Sequence, residues 1–371
     1  MASSDVSPHL TALREVLAAK NLEALLAAGQ ENRRYLSGFS ARDEQLTETS
    51  GWLLITFQEA FLITDFRYQE WAAEEAPQFT VKVYKDNLGT TLAELVQASG
   101  VKRLGFESAY LSCRNYQRLV ETVAKTGWQV EWLPQEGLVE ELREVKFPEE
   151  VAAMQAALRL TEKIFTEVAA WLTPGLTERR VAWEIERRLK EAGSDGLAFP
   201  PIVAAGTNSA RPHHHPTGYV IRAGEPIIID MGARLEGYCA DLTRTLIIGE
   251  PTARFREIYA LVRRAQMRAE AGIKAGMNSL DADALSRDLI TQAGYGEAFG
   301  HSLGHGVGLA VHEVPSLSPY KDRATELKAG SIVTVEPGIY LPDWGGVRLE
   351  DMVLIHTDGA EVLTSLGFYE W

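Results

Sequence analysis

Between about residues 148 and 355 the chain runs the same course twice, and this repetition restricts the available folds more than any other feature. In the first pass, a long amphipathic helix from about Glu149 to Trp171 puts Met154, Leu158, Thr161 and Ile164 on one face. It stops at Thr173-Pro174-Gly175, because proline cannot continue a helix. Thr177 then caps a second helix with Glu178 in its first turn and Ala182, Ile185 and Leu189 inward. In the second pass, a helix from about Ala253 to Lys274 ends at Gly276, and another runs from about Ser279 to Gln292. Gly175 and Gly193 are 18 residues apart, as are Gly276 and Gly294. Each helix pair leads into a glycine-rich, histidine-bearing segment and then a strand pair with two carboxylates, Asp230 and Asp241 first, Glu336 and Glu350 second. A unit of roughly a hundred residues that cannot close its own core packs against its copy. A site is expected between the halves.

The carboxylates suggest what that site holds. In IIIDMGARLEGYCADLTRTLII (Ile227 to Ile248), two β-branched runs flank a polar centre, the pattern of an antiparallel hairpin. With the turn centred on Leu235 and Glu236, Asp230 and Asp241 face each other across the ladder at a Cβ separation of roughly 5 Å, where like charges destabilise. A cation between them reverses the sign. An isolated pair at this spacing is more often a solvated surface pair, but the second half adds to it. Glu336 ends the apolar strand Ile332 to Val335, and Glu350 precedes the strand Met352 to Ile355, with a turn at Pro342 to Gly346 between them. Acids there are costly to bury without a positive partner. His301 to Leu309 is too rich in glycine for a helix and reads as a loop or irregular strand that brings His305 close to something. Four carboxylates and one imidazole suit two divalent ions with bridging carboxylates, Mn(II), Co(II), Fe(II) or Zn(II), whereas a single zinc usually takes more nitrogen or sulfur.

Composition limits the alternatives. With 371 residues, 46% hydrophobic, the chain is long enough for two domains and a sizeable core. A net charge of −14 argues against nucleic-acid and anionic-membrane partners and for small molecules or peptides. The N-terminus lacks a basic and then apolar leader, and no apolar run approaches the roughly 20 residues of a bilayer span, so a cytoplasmic protein is expected. Cys113 and Cys239 are too few for a disulfide framework and are expected to be buried thiols. Of eight histidines, six lie between His213 and His312, a clustering unlike scattered core histidines.

Residues 1 to 143 read as an α/β domain: a helix around Leu10 to Leu17, strands at Gly51 to Thr56, Ala60 to Thr64, Phe79 to Tyr84, Arg103 to Phe106 and Trp128 to Leu133, and helices at Leu92 to Val96 and Leu111 to Val123. Tyr35 to Ser40 reads as a loop. No ligand constellation occurs in it. Pro148 suits the first position of a helix, so the second domain spans 144 to 371.

Six segments in this order carry a family resemblance: NSARPHH (Asn208 to His214), IDMG (Ile229 to Gly232), GYCADLTRT (Gly237 to Thr245), GHGVGLAVHE (Gly304 to Glu313), TVEPGIY (Thr334 to Tyr340) and VRLED (Val347 to Asp351). The chain resembles the "pita-bread" metallopeptidases, the group of methionine aminopeptidase, aminopeptidase P and prolidase. The resemblance implies an α+β fold, a pita-bread catalytic domain with internal pseudo-duplication preceded by a smaller creatinase-type α/β domain. It makes Asp230, Asp241, His305, Glu336 and Glu350 the ligands of two divalent ions, Mn(II) first among the candidates, with Asp241 and Glu350 bridging. Such ions lower the pKa of a shared water, so that hydroxide attacks the peptide carbonyl. Glu336 is assigned the proton shuttle, and His213 and His312 the substrate and oxyanion contacts. His301, Arg348 and Tyr340 are candidates for substrate binding, and Thr243 for a hydrogen bond to a ligand carboxylate. His214, His215 and His356 receive no role. The activity implied is that of an Xaa-Pro dipeptidase, a homodimer acting on proline-containing dipeptides or short peptides. The alternatives are an Xaa-Pro aminopeptidase and a metal-free creatinase-like hydrolase or binding module, the last disfavoured by retention of all five ligands.

Overall fold

A computed structural model describes residues 5–45 and 48–369. The chain separates into two compact units, with the break between Arg143 and Glu144. The first comprises α1 (Ser7–Ala19), β1 (Ala24–Ala27), α2 (Gln30–Ser37), β2 (Trp52–Thr56), β3 (Ala60–Thr64), α3 (Gln69–Glu75), β4 (Thr80–Val83), α4 (Leu88–Ala98), β5 (Arg103–Glu107), α5 (Cys113–Lys125), β6 (Glu131–Gln135) and α6 (Leu138–Glu144). Its six strands form one mixed sheet in the order β4-β3-β2-β1-β5-β6. Helices α4 and α5 begin where side chains satisfy free backbone donors: Asn87 accepts from Thr90 N at 2.9 Å and Ser112 from Asn115 N at 3.2 Å.

Two expectations fail here. Tyr35, Leu36 and Ser37 complete α2 and are not a loop; the chain leaves the helix at Gly38, whose left-handed φ of 81° closes it. The helix and β1 both escape a periodicity reading, because α2 buries polar Asn32, Arg33 and Ser37 and β1 is a four-residue apolar run at the centre of the sheet. Cys113, expected buried, is exposed at the first residue of α5.

The second unit comprises α7 (Pro148–Trp171), α8 (Glu178–Glu191), β7 (Gly196–Leu197), β8 (Ile202–Ala205), β9 (Pro226–Met231), β10 (Ala233–Leu235), β11 (Tyr238–Cys239), β12 (Leu242–Ile247), α9 (Ala253–Gly272), α10 (Ser279–Gln292), β13 (Gly304–Gly306), β14 (Glu313–Leu317), β15 (Ile332–Val335), β16 (Gly338–Leu341), β17 (Gly345–Arg348), β18 (Asp351–Ile355) and β19 (Ala360–Val362). The duplication shows in matched bonds as well as matched elements. Gly175 and Gly276 lie in the turn after the first helix of each pair with φ of 98° and 79°, and their N–H groups donate to Ile221 O and Leu327 O. Gly193 and Gly294 end the second helices with φ of 92° and 87°. Such angles strain any residue with a Cβ, so the 18-residue spacing is set by geometry.

Each half has its own core. Helices α7 and α8 cover β8, β9 and β12 through Val168, Ile185, Val203 and Ile229, while α9 and α10 cover β15 and β18 through Ile258, Val262, Val333 and Val353. Between the halves, Met154 and Leu158 pack with Cys239, Ala240, Ile332 and Met352.

The register of the first hairpin differs from expectation. Glu236 (φ 50°) and Gly237 (φ 81°) are the two central residues of the turn, as a tight hairpin with positive φ at both positions requires. Arg234 therefore pairs with Cys239 and Asp230 with Thr243. Asp241 stands diagonally from Asp230 on the same face, not opposite it. It lies across from Gly232, where a Cβ would come within 1.9 Å of Ala240 O. Direct opposition occurs in the other half, where the pairs Val335–Asp351 and Gly338–Arg348 set Glu336 across from Glu350.

Candidate metal centre

Strand ends place the acids. Asp230 is the fifth residue of β9, Asp241 immediately precedes β12, Glu336 immediately follows β15 and Glu350 immediately precedes β18, while His305 is the middle residue of the short, bulged β13. All five line one cavity of about 640 Å³ within the second unit. Ligand atoms of Asp241, His305 and Glu350 lie within 4.8 Å of one another. His305 Nε2 is 3.3 Å from Glu336 Oε1 and 3.7 Å from Asp241 Oδ2. The other ring nitrogen, Nδ1, is 3.0 Å from Gly306 O, which only accepts, so Nδ1 donates to it and Nε2 is the nitrogen turned towards the acids.

A second tier of bonds orients the carboxylates. Thr243 Oγ1 donates to Glu350 Oε2 at 2.7 Å and accepts from Arg348 Nε at 3.2 Å. Arg348, only 3% exposed, also donates to Asp230 Oδ2 at 2.5 Å, to Tyr340 Oη at 3.0 Å and to Pro212 O at 3.3 Å. Tyr340 in turn bonds His301 Nε2 at 2.9 Å. Tyr340 thus stands behind His301 and Arg348, while those two, with His213 and His312, reach the cavity wall. The His312 ring meets that of His305 at a centroid distance of 4.4 Å. His214 and His215 also line the cavity, whereas His356 is exposed and faces Glu361.

Electrostatics test whether such a set fits cations. Burial, then the charges of Glu350, Asp230 and Glu336, pushes the Asp241 carboxyl well above its ordinary range. Glu350 is driven well up by burial and by Glu336 and Asp230, and burial raises Asp230 despite Arg348. For Glu336 burial also opposes ionisation, but the hydrogen bond and charge of His305 hold its carboxyl down to about 2. Burial lowers His301 and His312, the latter with help from His305. Asp230 Oδ1 is buried with no hydrogen-bond partner. An orphan carboxylate oxygen among acids that resist ionisation is what a cation corrects.

This gives a pH signature. Asp241, Glu350 and Asp230 have folded pKa values above their unfolded ones, so their contribution to stability is complete below about pH 4 and is lost as pH rises. Glu336 does the opposite, contributing above 4.5 and losing that as pH falls towards about 2. With three raised acids against one lowered, metal-free protein should melt at progressively lower temperature as pH rises from about 4 towards neutrality, and saturating Mn(II) should reverse the trend. Calorimetry with and without the ion checks both slopes.

Two contributors carry no sequence signature. Arg323, from the loop after β14, lines the cavity with no ion pair among the described residues. Phe199, Pro200 and Pro201 supply an apolar stretch of wall. Arg323 stands in the charged run Lys321-Asp322-Arg323, in which nothing sets it apart from its neighbours.

Two family profiles match. "Metallopeptidase family M24" covers residues 152–357 and "Creatinase/Prolidase N-terminal domain" covers 9–145. Relatives include an Xaa-Pro dipeptidase of Pyrococcus horikoshii, 34% identical over 94% of this chain and 95% of that one. An uncharacterized peptidase of Bacillus subtilis, YqhT, is 37% identical over 96% and 97%. Among solved structures, an Xaa-Pro dipeptidase from Bacillus anthracis superposes with a TM-score of 0.91 at 37% identity, covering 98% of this chain and 99% of that one. An X-Pro aminopeptidase from Thermotoga maritima gives 0.85 at 34%, covering 94% and 97%. No helix among the described residues is long and apolar enough to cross a membrane.

Proposed function

This chain belongs to metallopeptidase family M24, and from that premise we propose that it is a dinuclear metal-dependent Xaa-Pro dipeptidase whose catalytic domain spans residues 144 to 371. The observation that carries the reading is the meeting of four carboxylates and one imidazole, from both halves of a duplicated fold, on the wall of one cavity. Asp230, Asp241, His305, Glu336 and Glu350 would hold the ions, Mn(II) foremost, with Asp241 and Glu350 shared. When bound, such ions supply Lewis acidity and an acidified water.

The protein's own groups do the rest. Glu336 takes a proton and returns it to the leaving nitrogen. His213 and His312, on the cavity wall, donate to the substrate and to the developing oxyanion. Burial keeps His301 neutral, so its Nε2 accepts from Tyr340 and its ring packs as a fixed wall. Arg348 aligns Asp230 and Thr243, and through Thr243 also Glu350. Phe199 and Pro200 offer an apolar face for a pyrrolidine ring, and Arg323 a cation for a free carboxylate. The same family reading makes the functional unit a homodimer.

A second reading, the Xaa-Pro aminopeptidase, is kept by the Thermotoga relative. One panel separates the two. After EDTA treatment and Mn(II) add-back, Ala-Pro should be hydrolysed faster than Ala-Pro-Ala, and Arg323→Ala should raise KM for the dipeptide about 10-fold, the worth of one charge-assisted contact. Faster tripeptide cleavage moves the assignment to the aminopeptidase, and indifference to chelator removes both.

A further inference from the structure

His213 sits in the long connection between β8 and β9, and a single buried acid from another element holds that connection. Glu178, the first residue of α8, is 0% exposed. Its Oε1 accepts from Ala205 N at 2.9 Å and Asn208 Nδ2 at 3.0 Å. Its Oε2 accepts from His214 Nε2 at 2.9 Å, Thr217 N at 3.0 Å and Thr217 Oγ1 at 2.7 Å. Five donors drawn from both ends and the middle of residues 205–217 therefore converge on one carboxylate. Burial opposes its ionisation, but these donors hold the carboxyl below its usual range. Its place in the first turn of a 14-residue helix favours the negative charge further.

The opposite side of the connection is tied to the metal centre. Arg348, which aligns Asp230, donates to Pro212 O, and Gly346 N donates to Ser209 Oγ at 2.8 Å. His213 is thus bracketed: the residue before it is bound to Arg348 and the residue after it to Glu178. Its own side chain stays exposed on the cavity wall. An imidazole that must meet a substrate within a few tenths of an ångström needs such support, because the loop has no regular ladder of its own.

We propose that Glu178 is a positioning residue that fixes the 205–217 connection so that His213 is presented to the metal-site cavity. The inference rests on the reading that His213 contacts the substrate. Among the described residues, the hydrogen bonds of Glu178 reach none of the five metal ligands, so its loss should act on substrate and leave the ions alone.

The test uses full-length, Mn(II)-loaded enzyme carrying Glu178→Ala, Glu178→Gln, His213→Ala and the Glu178→Ala/His213→Ala pair. Glu178→Ala should lower kcat/KM for Ala-Pro by about 10- to 100-fold, the cost of a misplaced contact, mainly through KM. The Mn(II) Kd by titration calorimetry should stay within about twofold, which a general loosening of the fold would not allow. Amide exchange should quicken at 206–217 and not in β9 or β12. The double variant should be no worse than His213→Ala, since one residue acts through the other. Glu178→Gln keeps the volume with one acceptor oxygen and should fall between wild type and Glu178→Ala, which keeps the test readable if the alanine variant folds poorly. Unchanged exchange at 206–217, a weakened Mn(II) Kd, or multiplicative losses in the double variant overturn the proposal. Wild-type kinetics in His213→Ala instead overturn the substrate role of His213, and the exchange measurement then decides separately whether Glu178 holds the connection.

Discussion

Asp241→Asn should abolish turnover while leaving the protein folded, and should make the metal-free form more stable than wild type. The amide keeps the shape of the side chain but removes a charge that the native site holds against burial and against Glu350, Asp230 and Glu336. Without ions that charge is a liability, so its loss should raise the metal-free melting temperature. On the proposed reading Asp241 would hold the ions, and a neutral amide is a poor substitute for a carboxylate there. A loss in kcat of about 1,000-fold or more is expected, equivalent to about 4 kcal/mol of transition-state stabilisation. The ion-dependent rise in melting temperature should shrink with it, since stabilisation by a ligand follows its affinity. Metal analysis of purified variant, two melting curves and one rate measurement decide the matter. Full activity would remove the dinuclear reading altogether.

The second large effect belongs to Arg348→Leu. This guanidinium donates to Asp230, Thr243, Tyr340 and Pro212 from a site only 3% exposed. Leucine leaves the Asp230 carboxylate buried without its cation, and breaking a buried pair on one side costs about 3–5 kcal/mol. The sign of its pH dependence follows from Asp230. Burial already raises that carboxyl, and removing Arg348, which lowers it, raises it further. The penalty should therefore be small where Asp230 is protonated, near pH 4, and grow towards neutrality. Urea unfolding of the metal-free variant at pH 4 and pH 7.5 reads the difference directly, and a penalty independent of pH would show that Asp230 is not the group left exposed to the loss. Arg348→Lys should restore little, because an ammonium cannot reproduce a planar fork that reaches four acceptors.

Much of the second unit is legible in the sequence because its signals are local. Glycines that must take a left-handed φ, at 175, 193, 276 and 294, punctuate both helix pairs and reveal the repeat. Thr177 caps α8 by accepting from Arg180 N, as its residue type suggests. The pairing of Asp230 and Asp241 was less legible. A turn moved by one residue, to Glu236-Gly237, shifts the partner of Asp230 by two positions, to Thr243. Since the side-chain period of a strand is two, both acids still face the same way and the site survives the wrong register. Long-range bonds left no trace at all. Glu178 looks like any first-turn acid, and only folding brings Ala205, Asn208, His214 and Thr217 to it. The first unit hides α2 for a related reason: Arg33 is buried against Asp43 and Asn32 against Glu107, so polar residues occupy positions where periodicity seeks apolar ones.

One feature of the repeat bears on how a peptide lies in the cavity. Each half brings a matched couple of acids, and a centre built from those couples alone would be nearly even-handed between its two sides. The lone imidazole of His305 comes from the later half only, and it leans on Glu336 more closely than on Asp241. With its one nitrogen donor nearer to Glu336, the set of five is not even-handed, so an amide bond entering amine-first and one entering carbonyl-first would meet different surroundings.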